Sequence, residues 1–256
     1  MGNSPLVDYI RISPNKTSPR NHTIDTITIH CVVGQCSVET LGNIFSPTSR
    51  QGSSNYGIGP DGRIGMYVEE KDRAWTSSSS SNDNRAITIE VASDTFHPYA
   101  VNDKAYASLI NLLVDICKRN NIEELKWCGD KSLVGQVDKQ NMTVHRWFAA
   151  TACPGDFLYG LMGSIADTVN TRLKGDDSKM SDKTLEQFLN EYRDNLKDND
   201  ADVYSEEARN WAISTGLIKG SGTLENGEPN YMWQDFLTRE QFVTVLYRFA
   251  KSIEEA

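Results

Sequence analysis

The chain has 256 residues, enough for one medium domain with a smaller companion, and 38% of them are hydrophobic. A formal net charge of −9 and the lack of any basic stripe argue against nucleic acid as a partner, because phosphate binding needs clustered Lys and Arg. The N-terminal stretch MGNSPLVDYIRISPNKTS has neither a basic flank nor a long apolar core, and no later segment reaches the length of a membrane span. Residence in the cytosol of the producing cell and no membrane insertion are the expectations.

Five cysteines, Cys31, Cys36, Cys117, Cys128 and Cys153, form an odd set without the regular spacing of a secreted disulfide scaffold, so reduced thiols are expected.

In chain order, TITIHCV alternates with period two. It places Ile27 and Ile29 on one face and Thr26, Thr28 and His30 on the other, with His30 near the strand end. NYGIGPDGRIGMYV reads as a hairpin turning at Pro60-Asp61-Gly62. Residues 77–84, SSSSSNDN, read as a polar, mobile loop. RAITIEVAS repeats the alternation of the first strand, with Ile87, Ile89 and Val91 inward and Glu90 in a place comparable to that of His30. In AYASLINLLVDICKRNN the residues Tyr106, Leu109, Ile110, Leu113, Ile116 and Cys117 recur every three or four positions, which marks a helix and makes Cys117 a core residue. A further helix starts near CPGDF, where Pro154 suits a first turn and Asp156 complements the helix dipole. At that N-terminal edge Cys153 is expected to favour the thiolate.

Strands alternating with helices give an α/β fold, a mixed central sheet flanked by helices, over residues 1–175. Residues 176–202 read as a linker and connecting helix, including TLEQFLNEYRDNLKD at 184–198. Residues 203–256 form a small, mainly α domain.

Three chemistries compete for His30, Glu90, His145 and Cys153. One is a zinc site built from two imidazoles and a thiolate, with an open fourth position. Another is a cysteine hydrolase with Cys153 as nucleophile and His145 as base. The third gives these side chains a purely structural role.

The segments IHCVVGQCS, NYGIGPDGRI, RAWTSSS, AITIEVA and HRWFAATACPGDFL, in this order, resemble the zinc-dependent N-acetylmuramoyl-L-alanine amidases. That group includes phage lysozyme-like amidases and peptidoglycan recognition proteins. The resemblance covers about residues 22–173 and implies His30, His145 and Cys153 as ligands of Zn2+. It implies Glu90 as the general base and Thr151 as a donor near the oxyanion. The implied substrate is peptidoglycan, cut between N-acetylmuramic acid and L-alanine by water that zinc brings to a pKa of about 7. Where many members carry a tyrosine this chain has Ser54, with Tyr56 two positions later, so the proton work falls to Glu90. Asn55 and Trp75 are expected to line a substrate groove. Trp147 is expected in the core, and His22 and His97 on the surface.

Residues 203–251 resemble one S-layer homology repeat. Glu206 through Ser214 read as a helix stopped at Gly216. Thr238 reads as the cap of a second helix that buries Phe242, Leu246 and Phe249. The resemblance implies binding to a secondary cell-wall polymer. The single copy leaves room for self-association as a homodimer. A catalytic unit joined to a wall-directed tail resembles a phage endolysin acting on a Gram-positive host. The rival readings are a non-catalytic peptidoglycan receptor and a Cys-His hydrolase.

Overall fold

The computed structural model describes residues 2–175, 201, 203–220, 223–224, 227–233 and 239–254. The chain separates into two compact units, Met1–Thr184 and Leu185–Ala256. The expected helix at 184–198 and the expected cap Thr238 lie outside the described residues.

Among the described residues the first unit has eight strands: β1 (Tyr9–Ile10), β2 (Lys16–Thr17), β3 (Thr26–Cys31), β4 (Tyr56–Ile58), β5 (Ile64–Met66), β6 (Arg73–Ala74), β7 (Ala86–Val91) and β8 (Met142–Val144). Six of them form a mixed sheet in the order β1-β5-β4-β7-β3-β8, and β2 pairs with β6 in a separate ribbon. β3 lies parallel between β7 and β8, while β4 and β5 are the antiparallel arms of the expected hairpin. Its turn needs Gly62, whose φ of 86° is costly for a residue bearing a Cβ.

The helices of this unit are α1 (Val38–Phe45), α2 (Ser80–Arg85), α3 (Asp103–Arg119) and α4 (Gly155–Leu173). Ser37, Ser79 and Asn102 cap the first three, each side chain accepting from a backbone N–H in the first turn.

The alternation read from the sequence decides which side of the sheet each helix covers. Ile27, Ile29, Ile87 and Ile89 are wholly buried, as is the face of α3 carrying Leu109, Leu113, Ile116 and Cys117. Each such aliphatic side chain contributes about 1.5–3 kcal/mol of burial. On the opposite side Gly57 lies against Leu41 of α1, and an added Cβ would come within 2.7 Å of it. Glu90 shares that side, since Gly57 is its register partner on β4 and His30 its partner on β3. Thr28 and Thr88 continue the row. Asn82 of α2 donates to the Thr28 hydroxyl at 3.0 Å. The face expected to be polar is polar in chemistry yet enclosed: all six residues of β3 are buried.

The serine-rich segment departs from the mobile loop expected of it. Its residues 80–84 belong to the helix α2, and Asp83 pins the remainder by accepting from the backbone N–H groups of Thr76 and Ser77 and from the Ser77 hydroxyl at 2.6 Å. Arg20 adds a second brace, its guanidinium donating to the carbonyls of Glu70, Asp72, Asn84 and Ala86.

In the second unit α5 (Glu206–Ser214) ends before Gly216, whose φ is 70°, as expected. Helix α6 (Arg239–Glu254) corrects an expectation. Phe242, Leu246 and Phe249 are 49%, 48% and 43% exposed. Their spacing is that of an amphipathic stripe, but the described part of this unit encloses only Leu217 and Asn230, too little to cover a helix face. Among the described residues no helix is long and apolar enough to cross a membrane.

Candidate metal centre

The parallel pairing of β3 with β7 sets His30 directly beside Glu90. His30 is completely buried, and its Nδ1 lies 4.0 Å from Glu90 Oε1 and 3.4 Å from Cys153 Sγ. His145 comes from the neighbouring strand's end, where β8 runs into a 3-10 turn over His145–Trp147. Its ring centroid is 5.0 Å from that of His30. Cys153 closes the loop that follows: its carbonyl accepts from Arg146 N–H at 3.1 Å, and its own N–H donates to Thr151 Oγ1 at 3.2 Å. The donor atoms of His30, His145 and Cys153 all lie within 4.8 Å of one another.

The electrostatics of this cluster suit a cation. Burial, helped by His145, pushes the His30 imidazole down to about 3, and burial also lowers His145. Both rings are therefore neutral near pH 7 and keep a lone pair for a metal. His30 Nε2 is enclosed without a hydrogen-bond partner.

The Cys153 thiol is raised rather than lowered, first by its hydrogen bond with Cys31, then by burial and by the nearby Glu90. This corrects the expectation of a thiolate favoured by a helix end. Helix α4 begins two residues later, at Gly155, and Cys153 is 8% exposed. A thiol held protonated is a poor nucleophile, but it yields its proton to a metal that binds it. Two neutral imidazoles and one sulfur make a donor set that fits borderline-soft zinc.

Glu90 stands beside this set with a side chain that is 17% exposed. Burial, together with the neighbouring Cys31, pushes its carboxyl up to about 8 against the opposing pull of Arg50, and Oε2 has no protein partner.

A cleft of about 330 Å³ opens from Glu90 and His145. Arg50, Arg73, Trp75 and Ser78 line its walls. Trp75 lies in the cleft wall with its indole N–H donating to Thr17 Oγ1 at 2.9 Å. Thr151 is exposed beside Cys153.

Asn55 does not line the groove. It is wholly buried and ties three backbone segments together: its amide donates to the Val68 carbonyl at 3.2 Å, and its Oδ1 accepts from Thr88 N–H at 3.2 Å. The polar side chain beside the hairpin is used up in backbone bonding. Ser54 is likewise buried and donates to the Thr88 carbonyl. Tyr56 turns to the far side of the sheet, where its hydroxyl donates to Glu70 at 2.6 Å.

Trp147 packs in the core, stacked on Trp127 with centroids 5.1 Å apart, and His22 and His97 are exposed, as expected. Three residues at the cleft went unread in the sequence. Ser78 approaches His145 Nε2 at 3.4 Å, and Arg50 and Arg73 enter the walls from segments with no periodic signature.

A mixed sheet that gathers two imidazoles and a sulfur at the floor of a cleft defines a protein with a candidate metal centre on an α/β frame. The chain belongs to the Amidase_2 family, N-acetylmuramoyl-L-alanine amidase, which it matches over residues 20–156, more than half its length. Similar solved structures include the N-acetylmuramoyl-L-alanine amidase LysC from Clostridium intestinale URNW, at 19% identity and a TM-score of 0.42, covering 64% of this chain and 95% of that one. A mutant endolysin from Bacillus subtilis is similar at 15% identity and a TM-score of 0.47, covering 64% and 99%. The Drosophila peptidoglycan recognition protein SD is similar at 18% identity and a TM-score of 0.39, covering 63% and 85%. Comparison with curated protein sequences gives no match.

Proposed function

We propose that the first unit is a zinc-dependent hydrolase of peptidoglycan, cutting the amide between N-acetylmuramic acid and the L-alanine of the stem peptide. The observation that carries this reading is the set of His30, His145 and Cys153 donor atoms within 4.8 Å of one another, with Glu90 beside them at the floor of an open cleft. Family membership supports the bond assigned.

His30, His145 and Cys153 would hold the metal. When bound, Zn2+ supplies Lewis acidity toward the scissile carbonyl and toward water. With a metal cation bound beside it, Glu90 would be drawn back to its carboxylate form, and it would then take a proton from the attacking water and pass it to the departing alanine nitrogen, a task that needs a carboxyl free of competing bonds. Its unpartnered Oε2 meets that need. The Thr151 hydroxyl accepts from Cys153 N–H and retains its own proton for the carbonyl oxygen. The flat face of Trp75 on the cleft wall offers stacking area for a sugar ring.

The second unit is assigned to wall attachment through a secondary cell-wall polymer. Together the two units would act as an endolysin on a Gram-positive wall, the tail raising the local concentration of the hydrolase on an insoluble substrate. The exposed Phe242, Leu246 and Tyr247 on α6 support a contact role for that unit, to a polymer or to a second copy in a homodimer.

Digestion of purified cell walls followed by mass spectrometry tests the reading. Stem peptides with new L-alanine amino termini and intact glycan strands are expected, abolished by a chelator and restored by zinc. Reducing sugar ends would make the enzyme a glycosidase. Binding without any new amino terminus would make it a receptor.

A further inference from the structure

The cleft walls carry two positive charges in a chain whose net charge is −9. Arg73 leans on Thr17, its Nη2 donating to Oγ1 at 2.6 Å, and its Nε is enclosed without a partner. Arg50 ends a short 3-10 turn after α1, and its guanidinium makes no hydrogen bond or ion pair among the described residues. The one acid in the wall, Asp83, is spent on Thr76 and Ser77. The acid of the floor, Glu90, is close enough to feel the charge of Arg50 but not to pair with it.

An unpaired guanidinium in a concave wall is a seat for a planar anion, because its forked N–H groups match the two oxygens of a carboxylate. We infer that Arg50, backed by Arg73, is a specificity-determining residue that reads a free carboxylate on the stem peptide next to the bond cut. This rests on the peptidoglycan reading of the same cleft. It commits the site to peptides whose second residue carries a free α-carboxyl rather than a primary amide. A guanidinium bond to a charged oxygen is far stronger than one to a neutral amide, so the difference should reach about tenfold in affinity.

The test measures binding, so it does not depend on turnover. The zinc-loaded full chain is titrated by calorimetry with L-alanyl-γ-D-glutamyl-L-lysine, its glutamyl α-carboxyl free, and with the same peptide amidated there. The free-carboxylate peptide should bind about tenfold more tightly. In Arg50→Gln the ratio of the two affinities should fall close to one, and in Arg50→Lys part of it should survive. Equal binding of the two peptides, no binding of either, or a ratio unchanged in Arg50→Gln would each overturn the inference. A failure of the amidase reading is recognised separately, by walls that release no new alanine amino termini while the affinity ratio persists.

Discussion

The floor of the cleft and its rim are made in different ways. The floor is carried by strands: His30 and Glu90 are register partners on β3 and β7, fixed by a parallel ladder with buried isoleucines beneath. The rim is carried by loops, with Ser78 and Arg50 exposed and the segments around them held by caps, turns and the braces from Asp83 and Arg20. Of the groups proposed for metal and proton, His30 and Glu90 stand on that ladder, and His145 and Cys153 on the turn and loop that follow β8. Those that meet a variable substrate are on segments that can yield.

The sharpest break of the floor is His30→Ala. It should reduce bound zinc from one ion per chain to near none and abolish wall hydrolysis, both read on the purified protein. A variant that still holds equimolar zinc would remove His30 from the metal site. Glu90→Gln should leave the zinc content at wild-type level and lower turnover by about 10²–10⁴-fold, the usual span for loss of a general base. Normal turnover in that variant would show that the carboxyl is not the base.

On the rim, Arg20→Met tests whether the brace is structural. It removes a buried guanidinium from at least four backbone carbonyls and should cost about 3–5 kcal/mol of folding stability in chemical denaturation. A loss under about 1 kcal/mol would mean those carbonyls find other donors. Thr151→Val should be mildest, about tenfold in kcat, because an exposed hydroxyl stabilises charge less than an enclosed donor does. An unchanged kcat would strip Thr151 of its role.

How far the sequence went follows the same division. Period-two alternation located β3 and β7 and put His30 level with Glu90. The Pro60-Asp61-Gly62 turn located the hairpin, and the stripe ending in Cys117 located α3. Each of these is a local signal. Long-range pairing was illegible. Nothing near Arg20 announces that it threads beneath residues 70–86, and nothing in a serine run reveals that Asp83 will pin it. Asn55 was misread because an amide beside a hairpin looks alike in sequence whether it meets a ligand or three backbone segments.

The stripe Phe242, Leu246, Phe249 shows the converse. Its period foretold the helix correctly, but burial depends on what lies opposite, and spacing carries no information about that. Cys153 failed for a related reason. Its helix edge was visible, but the neighbouring Cys31 sulfur, which accepts its hydrogen bond and so keeps it protonated, was not.

The stacked pair of Trp127 and Trp147, with ring planes 2° apart, has a use outside catalysis. Trp147 belongs to the same short turn as His145, so tension on that imidazole is passed to an indole lying flat on another. Titrating zinc into the apoprotein should therefore change the intrinsic emission and the near-ultraviolet dichroism of the pair. The fold supplies its own optical gauge of occupancy, with no dye attached.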